Sequence, residues 1–179
     1  LKTNSGPSRA RNVGIQNAKG KYVSTLDADD IYLSPIKLEK ELDIIKQKGG
    51  IAFSNIAILS EGGYSSHVLG GKNIKSGNIF DGILNRSCFV PRDFLANKEL
   101  FAKAGYYDEK LALYEDWDLK LRLAKISPYY YSGVIGIGYR QVKDGLSRAQ
   151  KPKHKVAQAY IRDKVKNKLK FDDNGQLTW

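Results

Sequence analysis

Lys21-Tyr22-Val23-Ser24-Thr25-Leu26-Asp27-Ala28-Asp29-Asp30 is the stretch whose reading decides the fold. Its first six residues include β-branched and aromatic side chains and read as a strand. Three carboxylates follow at once, at the strand's C-terminal end. Where strands alternate with helices, ligands gather at the C-terminal ends of strands, so this acidic tip is a candidate site. The spacing Asp27-x-Asp29 puts two side chains on one side of an extended tip. Like charges packed this closely are costly unless a cation neutralises them. A hard divalent ion, Mg²⁺ or Mn²⁺, prefers oxygen ligands and bridges a few carboxylates to substrate phosphates. A solvated acidic turn with Asp30 as a cap would use the same residues. An EF-hand loop is excluded, because Ile31 and Tyr32 would stand where an oxygen ligand and a glycine are required.

Outward from this tip, residues 13–18 read as a short helix after the loop Thr3-Asn4-Ser5-Gly6-Pro7. On the other side, Ser34-Pro35 signals a helix start, with Ser as N-cap and Pro at the first helical position. Ile36, Leu38, Leu42 and Ile45 would form that helix's apolar face, and Gly49-Gly50 would end it. Residues 51–59 read as a buried strand and 64–69 as a weaker hairpin partner after the turn Glu61-Gly62-Gly63. Short helices are expected at 78–84 and 98–104, a short strand at 93–96, and a longer helix at 115–125 with Trp117, Leu121 and Ala124 on one face. Residues 129–139 read as one or two strands, and a basic helix is expected from 151 to about 170. The alternation predicts an α/β architecture with a mostly parallel sheet.

The chain has 179 residues, which suits one domain, and a net charge of +11 from 30 Lys+Arg against 19 Asp+Glu. The single Cys88 rules out a disulfide scaffold within the chain and a Cys-cluster zinc site; its usage fits a reducing compartment. His67 and His154 are too widely separated to suggest a histidine metal site. No apolar run approaches the ~20 residues that span a bilayer, and no basic-then-apolar leader opens the chain. The cytoplasm, or the inner face of a membrane, is the expected location. The basic balance attracts phosphates, whether of nucleic acid, anionic lipid or a phosphorylated small molecule.

Glu115-Asp116 is the second acidic cluster. It opens a predicted helix, where backbone N–H groups and the helix dipole stabilise ionised carboxylates. A carboxylate held ionised near neutrality can accept a proton from a hydroxyl; ordinary first-turn residues would look the same. Arg9, Arg11, Arg140, Lys143 and Arg148 are candidates to neutralise a diphosphate.

In order, these pieces form a pattern. Gly6-Pro7-Ser8-Arg9-Ala10-Arg11-Asn12-Val13-Gly14 leads through Ala18-Lys19-Gly20-Lys21-Tyr22 to Leu26-Asp27-Ala28-Asp29-Asp30. Later come Gly105-Tyr106-Tyr107-Asp108-Glu109, Glu115-Asp116-Trp117-Asp118-Leu119, Leu121-Arg122-Leu123 and Tyr139-Arg140. Over about residues 4–148 the chain resembles the family 2 glycosyltransferases, inverting enzymes with a GT-A fold. The resemblance implies a Rossmann-like mixed sheet flanked by helices, a nucleotide-sugar donor, usually a UDP-sugar, and a divalent metal. It assigns Asp29 as the main metal ligand and Asp27 to the ribose or the metal. Arg11 and Asn12 would lie by the nucleotide, and Arg140 in a late loop over the diphosphate. Asp116 would be the catalytic base, with Glu115 beside it, and Trp117 would shape the acceptor side or simply pack in the core. The family's fold begins with a strand, a helix and a second strand that this chain lacks. Residues 1–150 are therefore expected to be roughly the C-terminal two-thirds of a catalytic domain, followed by a basic tail at 151–179. The Gln-x-x-Arg-Trp motif of processive members is absent, since Gln141 is followed by Val142-Lys143-Asp144-Gly145, which favours single-sugar transfer to a glycan or lipid-linked acceptor.

Residues 151–170 hold eight basic side chains and one acidic. Ala157, Ile161, Val165 and Leu169 recur every four residues, a narrow apolar stripe that could lie on an anionic membrane or dock on the domain. Two other readings compete. A nucleic-acid-binding protein would explain the charge, but no nucleic-acid signature is present and the acidic tetrad would repel a phosphate backbone. A metal-dependent nucleotidyltransferase also uses acidic metal sites, but the Glu-Asp-Trp element favours sugar transfer.

Overall fold

The computed structural model describes residues 4–60, 63–140 and 151–179. Its centre is a six-stranded sheet ordered β1-β5-β3-β6-β2, with β4 also on β3. The strands are β1 (Tyr22–Ser24), β2 (Ile31–Tyr32), β3 (Ile51–Ser60), β4 (Gly63–Val68), β5 (Leu95–Asn97) and β6 (Tyr129–Arg140). The helices are α1 (Gly6–Asn17), α2 (Lys37–Lys48), α3 (Phe80–Leu84), α4 (Lys98–Lys103), α5 (Glu115–Ile126) and α6 (Lys151–Asp163). The chain ends in a small hairpin of β7 (Lys170–Phe171) and β8 (Leu177–Thr178).

The sheet is mixed, not mostly parallel. Only β3 and β6 run parallel, while β1–β5, β5–β3, β3–β4 and β6–β2 are antiparallel. The parallel pair is also the longest, with Ile51 opposite Tyr129 and Leu59 opposite Arg140. Ile51, Ala52, Phe53 and Ser54 are all fully buried, which explains why β3 reads as a continuous apolar run rather than an alternating one. The short strands pair antiparallel with their neighbours: β1 after α1, β2 after the acidic tip and β5 after the loop that follows α3.

Local boundaries moved for identifiable reasons. Helix α1 starts at Gly6, with Pro7 in its first turn, so the last two residues of the expected loop are helical and the helix begins seven residues before the predicted one. Strand β1 ends at Ser24, leaving Thr25 and Leu26 in the approach to the acidic tip. Helix α2 starts at Lys37 after Ile36, and Ser34 makes no capping bond. Its buried face is half the predicted one, since Ile45 is buried with Leu42 packed beside it. Ile36 and Leu38 are exposed, and Lys37, Glu41 and Ile45 point inward. Lys37 Nζ lies 2.8 Å from Glu41 Oε2, Ser54 Oγ donates to Glu41 Oε1 at 2.6 Å, and Ser132 Oγ is 2.9 Å from Ser54 Oγ. A buried ion pair is tolerable only when its remaining polar atoms are satisfied, as here. Gly136 on β6 makes room for it: a Cβ there would sit 2.7 Å from both Lys37 Cγ and Ser54 Cβ.

The C-terminal segment also differs from expectation. Helix α6 stops at Asp163, a widened helical turn covers Lys164–Lys168, and the hairpin follows. Ile161 and Val165 are buried in the main core with Ile15, Phe101 and Leu119, so of the two placements open to the apolar stripe it takes the docked one. No helix among the described residues is long and apolar enough to cross a membrane. Under this docked segment lies a second buried charge cluster. Lys164 Nζ contacts Asp108 at 2.8 Å and Asp118 at 3.0 Å, Arg122 bonds Asp118, and Trp179 covers both cations with its ring.

Candidate functional site

Arginines link the two acidic motifs. Arg11 is on α1, whose buried face carries Asn12 and Ile15. Its guanidinium donates to Asp27 Oδ1 at 2.7 Å and to Glu115 Oε1 at 2.8 Å. Burial alone would lower the guanidinium's pKa, but the bond to Asp27 and the nearby Tyr107 ring leave it raised and the charge permanent. Arg92 reaches the same carboxylate from the other side, at 3.0 Å from Asp27 Oδ2, and also bonds Asp30. Arg92 lies over the Tyr139 ring and lines a cavity of about 170 Å³ together with Asp116, Lys120 and Tyr139. Arg92 thus connects the Asp27 carboxylate to the cavity that Asp116 lines.

Asp116 stands at the second position of α5, directly after Tyr114, which takes a left-handed backbone (φ 62). That conformation is costly for a bulky residue and sharply turns the chain into the helix. Burial would raise the Asp116 pKa. Lys120, with Nζ 2.8 Å from Asp116 Oδ2 and one helical turn on, overrides it and holds the carboxyl below its usual range. Lys120 Nζ is itself fixed by the Val90 carbonyl at 2.8 Å. Asp116 also lines a larger cavity of about 700 Å³, with Arg86, Tyr114, Trp117 and the Gly70–Asn73 turn around it. It is thus ionised, oriented and accessible, as a proton acceptor must be.

The carboxylate oxygens of Asp27, Asp29 and Asp30 lie within 4.8 Å of one another. Their occupancy differs. Both oxygens of Asp27 are held by arginines, and Asp30 receives Arg92 and the Arg140 backbone N–H at 3.2 Å. Among the described residues no hydrogen bond or ion pair is made by Asp29, so its carboxylate is the one available to a hard cation with diphosphate oxygens. The all-oxygen donor set fits Mg²⁺ or Mn²⁺.

Other expected residues have different placements. The Asn12 side chain accepts from the Tyr107 N–H at 2.8 Å and donates to the Tyr107 carbonyl and to Glu109, both at 3.0 Å. It fastens α1 to the loop before α5 and has no free polar atom for a nucleotide. Trp117 is buried and gives its indole N–H to the Ile83 carbonyl at 2.9 Å, so it forms a wall of the larger cavity. Arg140 reaches the acidic tip by its backbone, while its side chain is exposed. Arg9 makes a surface pair with Glu109. Lys143, Arg148 and the late loop lie outside the described residues.

The sequence reading missed Arg92, Lys120, Arg86 and Tyr114. Lys120 was legible as the i+4 partner of Asp116 on a helix. Arg92 gave no local signal, because its bond to Asp30 crosses 62 positions.

Comparison with known proteins identifies the family and the fold. The family model described as glycosyl transferase family 2 matches residues 1–103. An uncharacterized glycosyltransferase of Rickettsia conorii is 30% identical over 145 residues, 78% of this chain and 24% of that protein. One from Haemophilus influenzae is 31% identical over 135 residues, 71% of this chain and 45% of the relative. The chain thus spans about a quarter to a half of the relatives it matches. Among solved structures, Staphylococcus aureus TarS residues 1–349 in complex with UDP-GlcNAc superposes with a TM-score of 0.65 at 17% identity, covering 84% of this chain and 44% of that one. The shared architecture is the GT-A fold, of which this chain is a part. With its family model matching more than half of its length, the chain belongs to glycosyl transferase family 2.

Proposed function

We propose that this protein transfers a sugar, with inversion, from a nucleotide-diphospho-sugar to an acceptor hydroxyl, and that the donor is a UDP-sugar. The observation that carries the reading is the pair of arginine links between the two acidic motifs: Arg11 bonds both Asp27 and Glu115, and Arg92 bonds Asp27 and lines a cavity with Asp116. The structural likeness to TarS in complex with UDP-GlcNAc supports the donor class. Asp116 accepts the proton of the acceptor hydroxyl. The oxygen so released attacks the anomeric carbon on the face opposite the diphosphate, forming the new C–O bond. The old C–O bond breaks with its electron pair leaving on the diphosphate. Asp116 must be ionised for this, which Lys120 secures.

Asp27, fixed by two guanidinium groups, serves the nucleoside side, and Asp29 holds the cation. A divalent ion there supplies charge neutralisation for the departing diphosphate. Arg140 adds positive charge at the same tip. Trp117 and Tyr114 form the acceptor-side wall, and Glu115 is a positioning residue that keeps Arg11 against Asp27.

The decisive experiment compares Asp116→Asn with the unaltered protein. UDP and Mn²⁺ titration should be nearly unchanged while transfer falls by about a thousandfold or more, in the range seen for loss of a catalytic base acting with its neighbours. Asp29→Asn should instead remove the Mn²⁺ dependence of UDP binding. Normal turnover in Asp116→Asn would refute the base assignment.

A further inference from the structure

The larger cavity beside Asp116 carries more positive charge than the proposed chemistry needs. Lys120 already neutralises Asp116, yet Arg86 and Lys72 also line the cavity, and among the described residues neither pairs with a carboxylate. Arg86 has a left-handed backbone (φ 57), an unusual conformation for a non-glycine residue. It places the guanidinium 4.8 Å from the centroids of both Tyr114 and Trp117. Aromatic faces hold a guanidinium without neutralising it, so its N–H donors remain available to an anion.

A second, independent feature points the same way. The basic C-terminal segment is docked at this cavity's edge. His154 Nδ1 and Gln158 Nε2 each lie 2.9 Å from the Tyr114 hydroxyl, and Arg162 approaches the Trp117 ring at 5.8 Å. Lys153, Lys155 and Arg162 are exposed on the same helix. The apolar side of the segment is buried in the core, and Arg162 on its exposed side reaches Trp117, which lines the cavity. A concave wall lined by one sign of charge focuses its field on an incoming ligand of the other sign.

We infer that the acceptor is anionic: a glycan or polyol carrying a phosphate or carboxylate close to the hydroxyl that Asp116 deprotonates, with Arg86 and Lys72 holding that group. This rests on the transferase reading above and adds the acceptor class to it. A charged group held by Arg86 would orient the hydroxyl toward Asp116, and the basic helix would draw in further charges of a polyanion.

The test uses the full-length enzyme and three acceptors of matched length: a neutral gluco-oligosaccharide, a hexuronate oligosaccharide and a phosphodiester-linked glycerol oligomer. Binding of UDP with Mn²⁺ is measured first, and its failure would count against the transferase reading itself, not against the acceptor class. With UDP bound, one or both charged acceptors should be used with kcat/KM at least tenfold above the neutral one, and KM should rise with salt. The comparison of uronate with phosphodiester identifies the anion. Arg86→Gln should lower the charged-to-neutral ratio roughly tenfold, the loss of about one charge-assisted hydrogen bond, and Arg86→Lys should restore part of it. Equal or better use of the neutral acceptor would overturn the inference. So would a charge preference that survives both Arg86→Gln and Lys72→Gln.

Discussion

Arg11 and Glu115 lie 104 positions apart in the chain and 2.8 Å apart in space. The same guanidinium bonds Asp27, so one side chain fixes the distance between the acidic tip after β1 and the start of α5. In a cleft that must bring donor and acceptor together, that distance is the critical dimension.

Replacing Arg11 with lysine tests the bridge. A lysine carries the charge but is a point donor that cannot span two carboxylates. Arg11→Lys is expected to weaken UDP binding about tenfold and to lower stability by about 1–3 kcal/mol, the cost of an unsatisfied, partly buried charged group. Calorimetric titration with UDP and urea denaturation read the two effects. Unchanged UDP affinity would show that the bridge is not needed for donor binding.

In the proposed mechanism, Lys120 sets the acid limb of the reaction. The Asp116 carboxyl is held below its usual range, so it is ionised above that lowered pKa and loses its base function as pH falls through it. Lys120→Met leaves burial unopposed and raises the Asp116 pKa. The acid limb of the kcat/KM profile should therefore move to higher pH. A profile that keeps its acid limb in Lys120→Met would mean another group governs it.

Asp93 is a buried carboxyl whose pKa is pushed up to about 7, by burial first, against the opposing charge of Arg92. Neither of its oxygens accepts a hydrogen bond. The folded state holds this proton more tightly than the unfolded chain. Its contribution to stability is complete below the ordinary carboxylate pKa and declines as pH rises toward about 7. Asp93→Asn should remove that decline, a difference of a few kcal/mol at about 1.4 per pH unit. Urea midpoints of both proteins between pH 4 and pH 8 should converge in acid and separate above neutrality, with the variant more stable. Parallel curves would place the Asp93 pKa in the ordinary range.

Lys164 joins Asp108 and Asp118 under the Trp179 ring, and burial lowers its pKa despite both partners. Lys164→Met would leave two carboxylates buried with less compensation. A loss of about 3–5 kcal/mol is expected in denaturant unfolding. Trp179→Ala should cost less, because it opens the cluster to water without removing a charge. Equal stability of Lys164→Met and the unaltered chain would show that the C-terminal segment is held by its apolar contacts alone.

The sequence by itself determined the acidic tip at Asp27–Asp30, the Glu115-Asp116 helix start, the central strand from Ile51 and the family. These depend on local patterns: residue type, spacing of two or four, and caps and glycines at element ends. It also contained the Ile161–Val165 stripe, but not the surface that stripe covers. Tertiary structure decided that the sheet is mixed, that α2 buries Lys37 and Glu41 rather than Ile36 and Leu38, and that Asn12 clamps a loop. It also decided that Arg92 reaches Asp27 and Asp30 and that Arg86 stands over Trp117. The physical reason is that each rests on a partner far along the chain, a strand, a loop backbone, a carboxylate or a ring, at a distance that only the folded backbone sets.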